Sequence, residues 1–278
     1  MPPKPAKPQV PAREKLDISA AALGPIAAPQ AFLDEAAALG IEFEPGDIEK
    51  LGLYLAMLMH ANESQNLTAI RDSDEAWRRH ILDSLTLVST VVDFPEGSTI
   101  VDVGTGGGLP GVPLAIALPA YRVALMDATA KKCDFLEQVI ARVGLGNATV
   151  VRGRAEVLAH DRGVRTTEGG IGHVGGHREK YDLVVARAVG RLATLAELTV
   201  PFAKVGGRVA LIKGQKADEE VAEAEKALHI LKAVHAGTME TPTGRIVLLD
   251  KRSATPRDYP RADGEPSRSP LGVANPKG

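Results

Sequence analysis

The sequence predicts an α/β, Rossmann-like fold, a mostly parallel seven-stranded sheet behind an N-terminal helical cap, and three observations lead there. Strand-like and helix-like segments alternate regularly from residue 99 to residue 250. The first of those strands, 99–103, ends in a glycine-dense turn, Gly104-Thr105-Gly106-Gly107-Gly108. Ahead of it, apolar residues recur at helical spacing over 29–39, 45–60 and 73–91.

Taken in order, residues 1–28 combine proline, alanine and lysine without helical or strand periodicity and are expected to be a disordered leader. Helices over 29–39 and 45–60 are separated by Gly40 and Gly46. A third helix over 73–91 is opened by Ser73 and the acids Asp74 and Glu75, and the three together form a cap over 29–92. The α/β domain follows over 93–253. Strands are expected at 99–103, 121–126, 147–152, 181–186, 206–213 and 245–250, with a weaker one at 233–240. Helices are expected at 110–118, 129–143, 191–203 and 217–231. The two closing strands predict an antiparallel hairpin at one end of the sheet. Residues 161–180 are rich in glycine and poor in apolar side chains, which predicts a mobile surface insertion. A proline- and arginine-rich tail, 254–278, is expected to lie along the surface.

Composition narrows the class. The chain has 278 residues, 44% of them apolar, enough for one sizeable core, and no run of about 18 apolar residues that would cross a membrane. A single cysteine, Cys133, excludes an intramolecular disulfide framework and predicts a cytoplasmic setting. Its place on a helix reads as packing, not nucleophilic chemistry. His173 and His177 lie close together but lack the acid or cysteine spacing of a metal site, so no metal is expected. The net charge of −2 means that a nucleic-acid partner would need a local basic patch, such as Arg71, Arg78 and Arg79 or the C-terminal run that includes Arg261 and Arg268.

The glycine turn suits a nucleoside cofactor lying against the backbone, with Gly104, Gly106 and Gly108 removing Cβ atoms. A G-x-G-x-x-G match exists at Gly106, Gly108 and Gly111, but its register is poor for a dinucleotide, because the strand meets Gly104 and Leu109 stands where the last glycine belongs. Asp102 at the tip of the strand would repel a diphosphate and attract an ammonium or a sulfonium. S-adenosylmethionine carries both cations and no phosphate. Asp127, ending the second strand, is placed to receive ribose hydroxyls.

Ligands of an open parallel sheet sit outside the carboxyl ends of its strands. There the third strand is followed by Gly153-Arg154-Ala155-Glu156, the fourth by Arg187 and the fifth by Lys213-Gly214. Two cations on adjacent strands point to an anionic second substrate.

Several of these segments together resemble the glucose-inhibited division protein B family: Asn66-Leu67-Thr68, Arg79-His80-Ile81-Leu82-Asp83-Ser84, Val101 to Pro113, Ala186-Arg187-Ala188, Lys213-Gly214-Gln215 and Tyr259-Pro260-Arg261. The resemblance spans about residues 30–272. It implies a class I S-adenosylmethionine-dependent methyltransferase fold, guanine N7 as the acceptor and the helix 18 loop of 16S ribosomal RNA as the target, met as RNA, as the 30S subunit or as an assembly intermediate. By matching motif, Gly104 and Leu109 would line the donor pocket, and Asp127, Ala128 and Thr129 would hold the ribose end. Ala155 and Glu156 would meet the adenine, and Arg187 would face the methionine portion and the entering base. Asn66, Arg79, His80, Lys213, Arg261 and Arg268 are the candidate RNA contacts, and a monomer is expected. The leader and the 161–180 insertion depart from the family pattern, and Gly107 replaces another small residue or proline.

Guanine N7 offers an in-plane lone pair and no proton, so direct displacement needs no general base, and Arg187 and Lys213 are expected to position the substrate. His80 and Asp83 share a helix face and are open to either RNA contact or cap packing. Two rival readings stay open: a nicotinamide-dependent oxidoreductase, and a non-catalytic RNA-binding or assembly protein on the same scaffold.

Overall fold

A computed structural model of the chain describes Ile18 and residues 22–166, 172–187 and 190–272. Its centre is a seven-stranded sheet of order β3-β2-β1-β6-β7-β9-β8. The strands are β1 (Thr99–Val103), β2 (Arg122–Asp127), β3 (Ala148–Arg152), β6 (Tyr181–Arg187), β7 (Ala203–Lys213), β8 (Ala233–Thr241) and β9 (Gly244–Lys251). The first five are parallel, whereas β9 runs antiparallel to both β7 and β8. Strand order reverses between β1 and β6, which places the ligand crevice of such sheets beside the end of β1.

Both faces of the sheet are covered, and the alternation of strand side chains sorts them. Ile100, Val123, Leu125, Leu183, Val185 and Ile212 join one core with the cap helices α1 (Gln30–Ala38) and α2 (Asp47–Gln65), with α5 (Gly111–Ala117) and with α6 (Ala130–Val143). Val101, Val103, Met126, Val184, Val209 and Leu211 join a second core with α8 (Leu192–Thr199) and α9 (Ala217–Leu231).

The third cap helix is not continuous. It runs as α3 (Ser73–Ala76), a π-helical turn Trp77–Leu82, α4 (Asp83–Leu85) and a 3₁₀ turn Thr86–Val91. The reason is burial: His80 through Leu87 are all enclosed, so the segment packs on every side instead of presenting one stripe. The wide turn is a common device where a helix must aim a side chain. Trp77 anchors it, its ring 4.6 Å from that of Phe32.

The leader expectation needs correcting at its C-terminal end. Ile18 is completely buried, its N–H donates to Gln138 Oε1 at 2.8 Å, and Arg142 donates to its carbonyl at 2.7 Å. Ile26 N–H bonds to Gly52 O at 3.1 Å, where a Cβ on Gly52 would strike the Ile26 backbone. A few apolar residues in a polar stretch thus suffice to pin it. The insertion is corrected in the same way: β4 (Val164–Thr166) pairs antiparallel with β5 (Gly172–Val174), and Arg178 is buried. Residues 167–171 lie outside the described ones. Two one-turn helices escaped the sequence reading, α7 (Ala155–Leu158) and α10 (Glu265–Arg268), because four residues carry no periodicity.

Candidate active site

The turn after β1 is pinned to the end of β2. Gly104 N–H and Thr105 N–H both donate to Met126 O, at 2.9 and 3.0 Å, and Gly106 N–H donates to Asp127 Oδ2 at 3.1 Å. Tyr54, from α2, donates its hydroxyl to Gly107 O at 2.9 Å and ties the cap to the turn. The turn has two sides. At Gly104, with φ of 73°, an added Cβ would meet nothing within 4 Å, so this side is open to a ligand. At Gly111 an added Cβ would strike the Leu125 side chain and come within 2.9 Å of Asp102 Oδ2, so that glycine serves close packing of α5 on the sheet. Leu109, joined to Pro110 by a cis peptide, is 6% exposed between the two sides.

The acids do not stand as free carboxylates. Asp102 is fully buried, and Oδ2 accepts the Gly111 N–H at 2.8 Å, which corrects the reading of an open carboxylate facing the crevice. Its Oδ1 is buried and unpartnered among the described residues. Burial pushes its pKa up to about 6. Asp127 accepts from Gly106 N–H and, through Oδ1, from Thr129 N–H at 2.8 Å, with Lys132 3.6 Å away. It therefore shapes the turn before any hydroxyl reaches it. Ala128 and Thr129 are exposed beside it. Glu156, on α7, accepts Gly264 N–H at 3.1 Å, while the half-buried Ala155 precedes it, so the C-terminal tail borders this end of the crevice.

Arg187, at the end of β6, is the junction between sheet and cap. Its guanidinium donates to Arg79 O at 2.8 Å and to His80 Nδ1 at 3.3 Å and lies 3.6 Å from the Asp83 carboxylate. Because a guanidinium only donates, Nδ1 accepts and the ring proton sits on Nε2, which faces Thr68 Oγ1 at 2.6 Å. Burial, reinforced by Arg187, lowers the His80 pKa to about 4, so the ring is neutral. Asn62 Oδ1 takes Thr68 N–H at 2.8 Å, and Thr243, in the β8–β9 turn, donates to Asp83 Oδ1. Tyr54, Asn62 and Thr243 are not among the residues that the sequence marks for the site, whereas Thr68 belongs to the Asn66-Leu67-Thr68 motif. A tyrosine inside an apolar helix face whose hydroxyl needs a partner was the one available signal.

Lys213 is not the free phosphate ligand expected of it. Its ammonium donates to Gly190 O at 2.5 Å and pairs with Glu220 at 2.8 Å, with only 4% of the side chain exposed. Arg261 is likewise withdrawn from the RNA set: it clasps the completely buried Glu197 at 2.6 Å and thereby anchors the tail. Asn66, Arg79 and Arg268 are exposed. Cys133 is 2% exposed on α6, and burial pushes its thiol pKa up, so it packs and does not attack. No cluster of three or more His, Cys, Asp or Glu able to hold a metal occurs among the described residues, and no helix there is long and apolar enough to cross a membrane.

The open side of Gly104 suits a nucleoside lying against the backbone, and the buried Asp102 carboxylate beneath the turn makes the place a better fit for a cationic donor than for a dinucleotide diphosphate. With the antiparallel strand β9, the sheet and the turn define a Rossmann-like methyltransferase. The chain belongs to the rRNA small subunit methyltransferase G family, GidB, whose family model matches residues 47–246. The ribosomal RNA small subunit methyltransferase G of Sorangium cellulosum (strain So ce56) is 45% identical over 236 residues, covering 85% of this chain and 93% of that one. The protein of the same name from Desulfitobacterium hafniense (strain Y51) is 40% identical over 240 residues, covering 84% and 93%.

Proposed function

We propose that the chain transfers the methyl group of S-adenosylmethionine to guanine N7 in the helix 18 loop of bacterial 16S ribosomal RNA. The observation that carries the reading is the open side of the Gly104 turn facing a crevice whose wall, Arg187, is aimed by three cap contacts. The donor supplies an electrophilic methyl on a sulfonium; the chain's own residues align and shield. Gly104, Gly106 and Leu109 would hold it against the backbone, Asp127 with Ala128 and Thr129 at the ribose end and Ala155 with Glu156 at the base; Gly108, expected beside them, is instead packed against Val112, Leu136 and Tyr54.

Methylation makes the guanine cationic, and a bare cation beside it would oppose the reaction. Asp83 at 3.6 Å offsets the Arg187 charge, and His80 contributes none because it is neutral. Arg187 can therefore direct hydrogen bonds at an acceptor such as O6 or phosphate with its net charge largely compensated. The exposed Asn66 and Arg79 flank the mouth of the crevice as RNA contacts, with Arg268 on the tail. Incubation of 30S subunits with methyl-labelled donor should give 7-methylguanosine in helix 18, which cells lacking the protein should have lost. Binding of NAD in preference to the methyl donor would overturn the reading, as would tight RNA binding without any methyl transfer.

A further inference from the structure

A second cationic site lies away from the methyl-transfer crevice. Arg178 comes just before β6, whose other end bears Arg187, so a strand of seven residues, about 20 Å, separates the two levels. Arg178 is 4% exposed. Its guanidinium donates to four carbonyls, Ala159 O and Tyr259 O at 2.8 Å, Thr255 O at 2.8 Å and Pro256 O at 3.0 Å. No carboxylate pairs with it among the described residues: the neighbouring Glu179 is turned to Lys251 and Thr255 N–H, both at 2.9 Å. One donor, Nε–H, is buried and unpartnered. The cleft beside it, about 260 Å³, is lined by Arg178, Arg162, Arg257 and His160.

Four carbonyl dipoles solvate the Arg178 charge but do not cancel it. Arg162 and Arg257 add to the field, both exposed and neither in an ion pair among the described residues. His160 spends Nε2–H on Pro260 O at 2.8 Å, leaving Nδ1. Asp161, next in the chain, uses Oδ1 to accept Gly163 N–H at 2.8 Å. Three guanidinium groups that line one cleft, one of them buried and without a carboxylate partner among the described residues, are satisfied by one ligand type, a tetrahedral oxyanion.

We propose that this cleft binds a phosphate group, and that its source is a backbone phosphate of the RNA substrate, docked apart from the methylated base. The RNA part rests on the function proposed above; the phosphate site itself does not. The test titrates inorganic phosphate into the full chain while following the Arg178 Nε–H resonance, and separately measures the salt dependence of 30S binding, each for the natural chain and for Arg162→Gln with Arg257→Gln. The expected result is a saturable Nε–H shift that the double variant loses. Alongside it, the slope of log K against log salt should fall by about 0.7–0.9, the value for one phosphate, and 30S affinity several-fold, with donor binding unchanged. A shift with an unaltered slope overturns the RNA source and leaves a small phosphorylated anion as the ligand. An altered slope without a shift overturns the built site in favour of diffuse charge, and the absence of both effects overturns the whole proposal. Methyl transfer to 30S by the natural chain, read in the same preparations, reports separately on the function.

Discussion

Arg187 and Arg261 are both arginines held by an acid, yet they occupy opposite situations. Arg187 keeps 23% of its side chain exposed, is shared among a backbone carbonyl, an imidazole and a carboxylate 3.6 Å away, and fronts the crevice. Arg261 grips Glu197, which is fully buried, through several short bonds and joins the tail to α8. The difference teaches how to tell a tool from a clamp. The two arginine side chains are similarly exposed, 23% and 19%, so the pairing decides: a cation 3.6 Å from its acid can trade partners for a substrate at small cost, whereas one bonded at 2.6 Å to a completely buried carboxylate cannot.

The largest expected effect lies on the clamp. Glu197→Ala removes the buried carboxylate and leaves Arg261 only Glu265 at 3.5 Å and Ser269 O, and should lower stability by about 2–3 kcal/mol, measured by denaturant unfolding. An unfolding midpoint within error of the natural chain would mean that the tail is not anchored there. On the other side of the comparison, Arg187→Ala removes two cap hydrogen bonds and the partner of Asp83, and should lower stability by only about 1 kcal/mol but reduce methyl transfer by roughly 100-fold, on the scale of losing one positioning donor. A variant that stayed fully active would remove Arg187 from the site.

Within the glycine turn, Gly104→Ala and Gly111→Ala should separate binding from packing. The first places a side chain in a left-handed conformation, at a cost of about 1–2 kcal/mol, and intrudes on the open side, so donor affinity suffers most. The second overpacks Leu125 and Asp102 and should cost stability by about 1–3 kcal/mol. Equal effects of the two on donor affinity would contradict the assignment of sides.

Smaller effects follow from the titrating groups. Asp102 has its pKa raised to about 6, so a cationic donor favours the ionised form and its binding should weaken as pH falls below 6. Asp102→Asn should retain the bond to Gly111 and the fold but bind the donor weakly and without that pH dependence, as calorimetry would read. His80 has its pKa lowered from 6.5 to about 4, so the unfolded chain binds its proton first. The stability that depends on its neutral form is complete above pH 6.5 and declines as pH drops toward 4. His80→Gln should flatten that part of the stability curve.

Much of the sheet was legible from residues alone. The strands 99–103 and 147–152 and the helix 217–231 were readable within a residue or so, because each carries several apolar positions at one period. The 73–91 segment reads as one helix because its apolar run fits a helical period, and only the fold shows the enclosure of His80 to Leu87 that accompanies the break in that period. The candidate ligands at strand ends followed from topology, which needs no side-chain detail. Whether a charge there is free was not legible: Lys213 finds Glu220, and Arg261 finds Glu197 64 residues earlier in the chain.

By itself, the amino-acid sequence determined the alternation of strands and helices, the glycine turn at the first strand and the motifs that mark the family. Those are local properties, set by backbone freedom and side-chain period over a few residues. Tertiary structure alone decided which side of the turn is open, that Asp102 faces inward, and that Arg187 is aimed by the cap while Lys213 and Arg261 are consumed. Charge is free or spent according to which groups lie within a few ångströms, and that proximity arises between residues far apart along the chain.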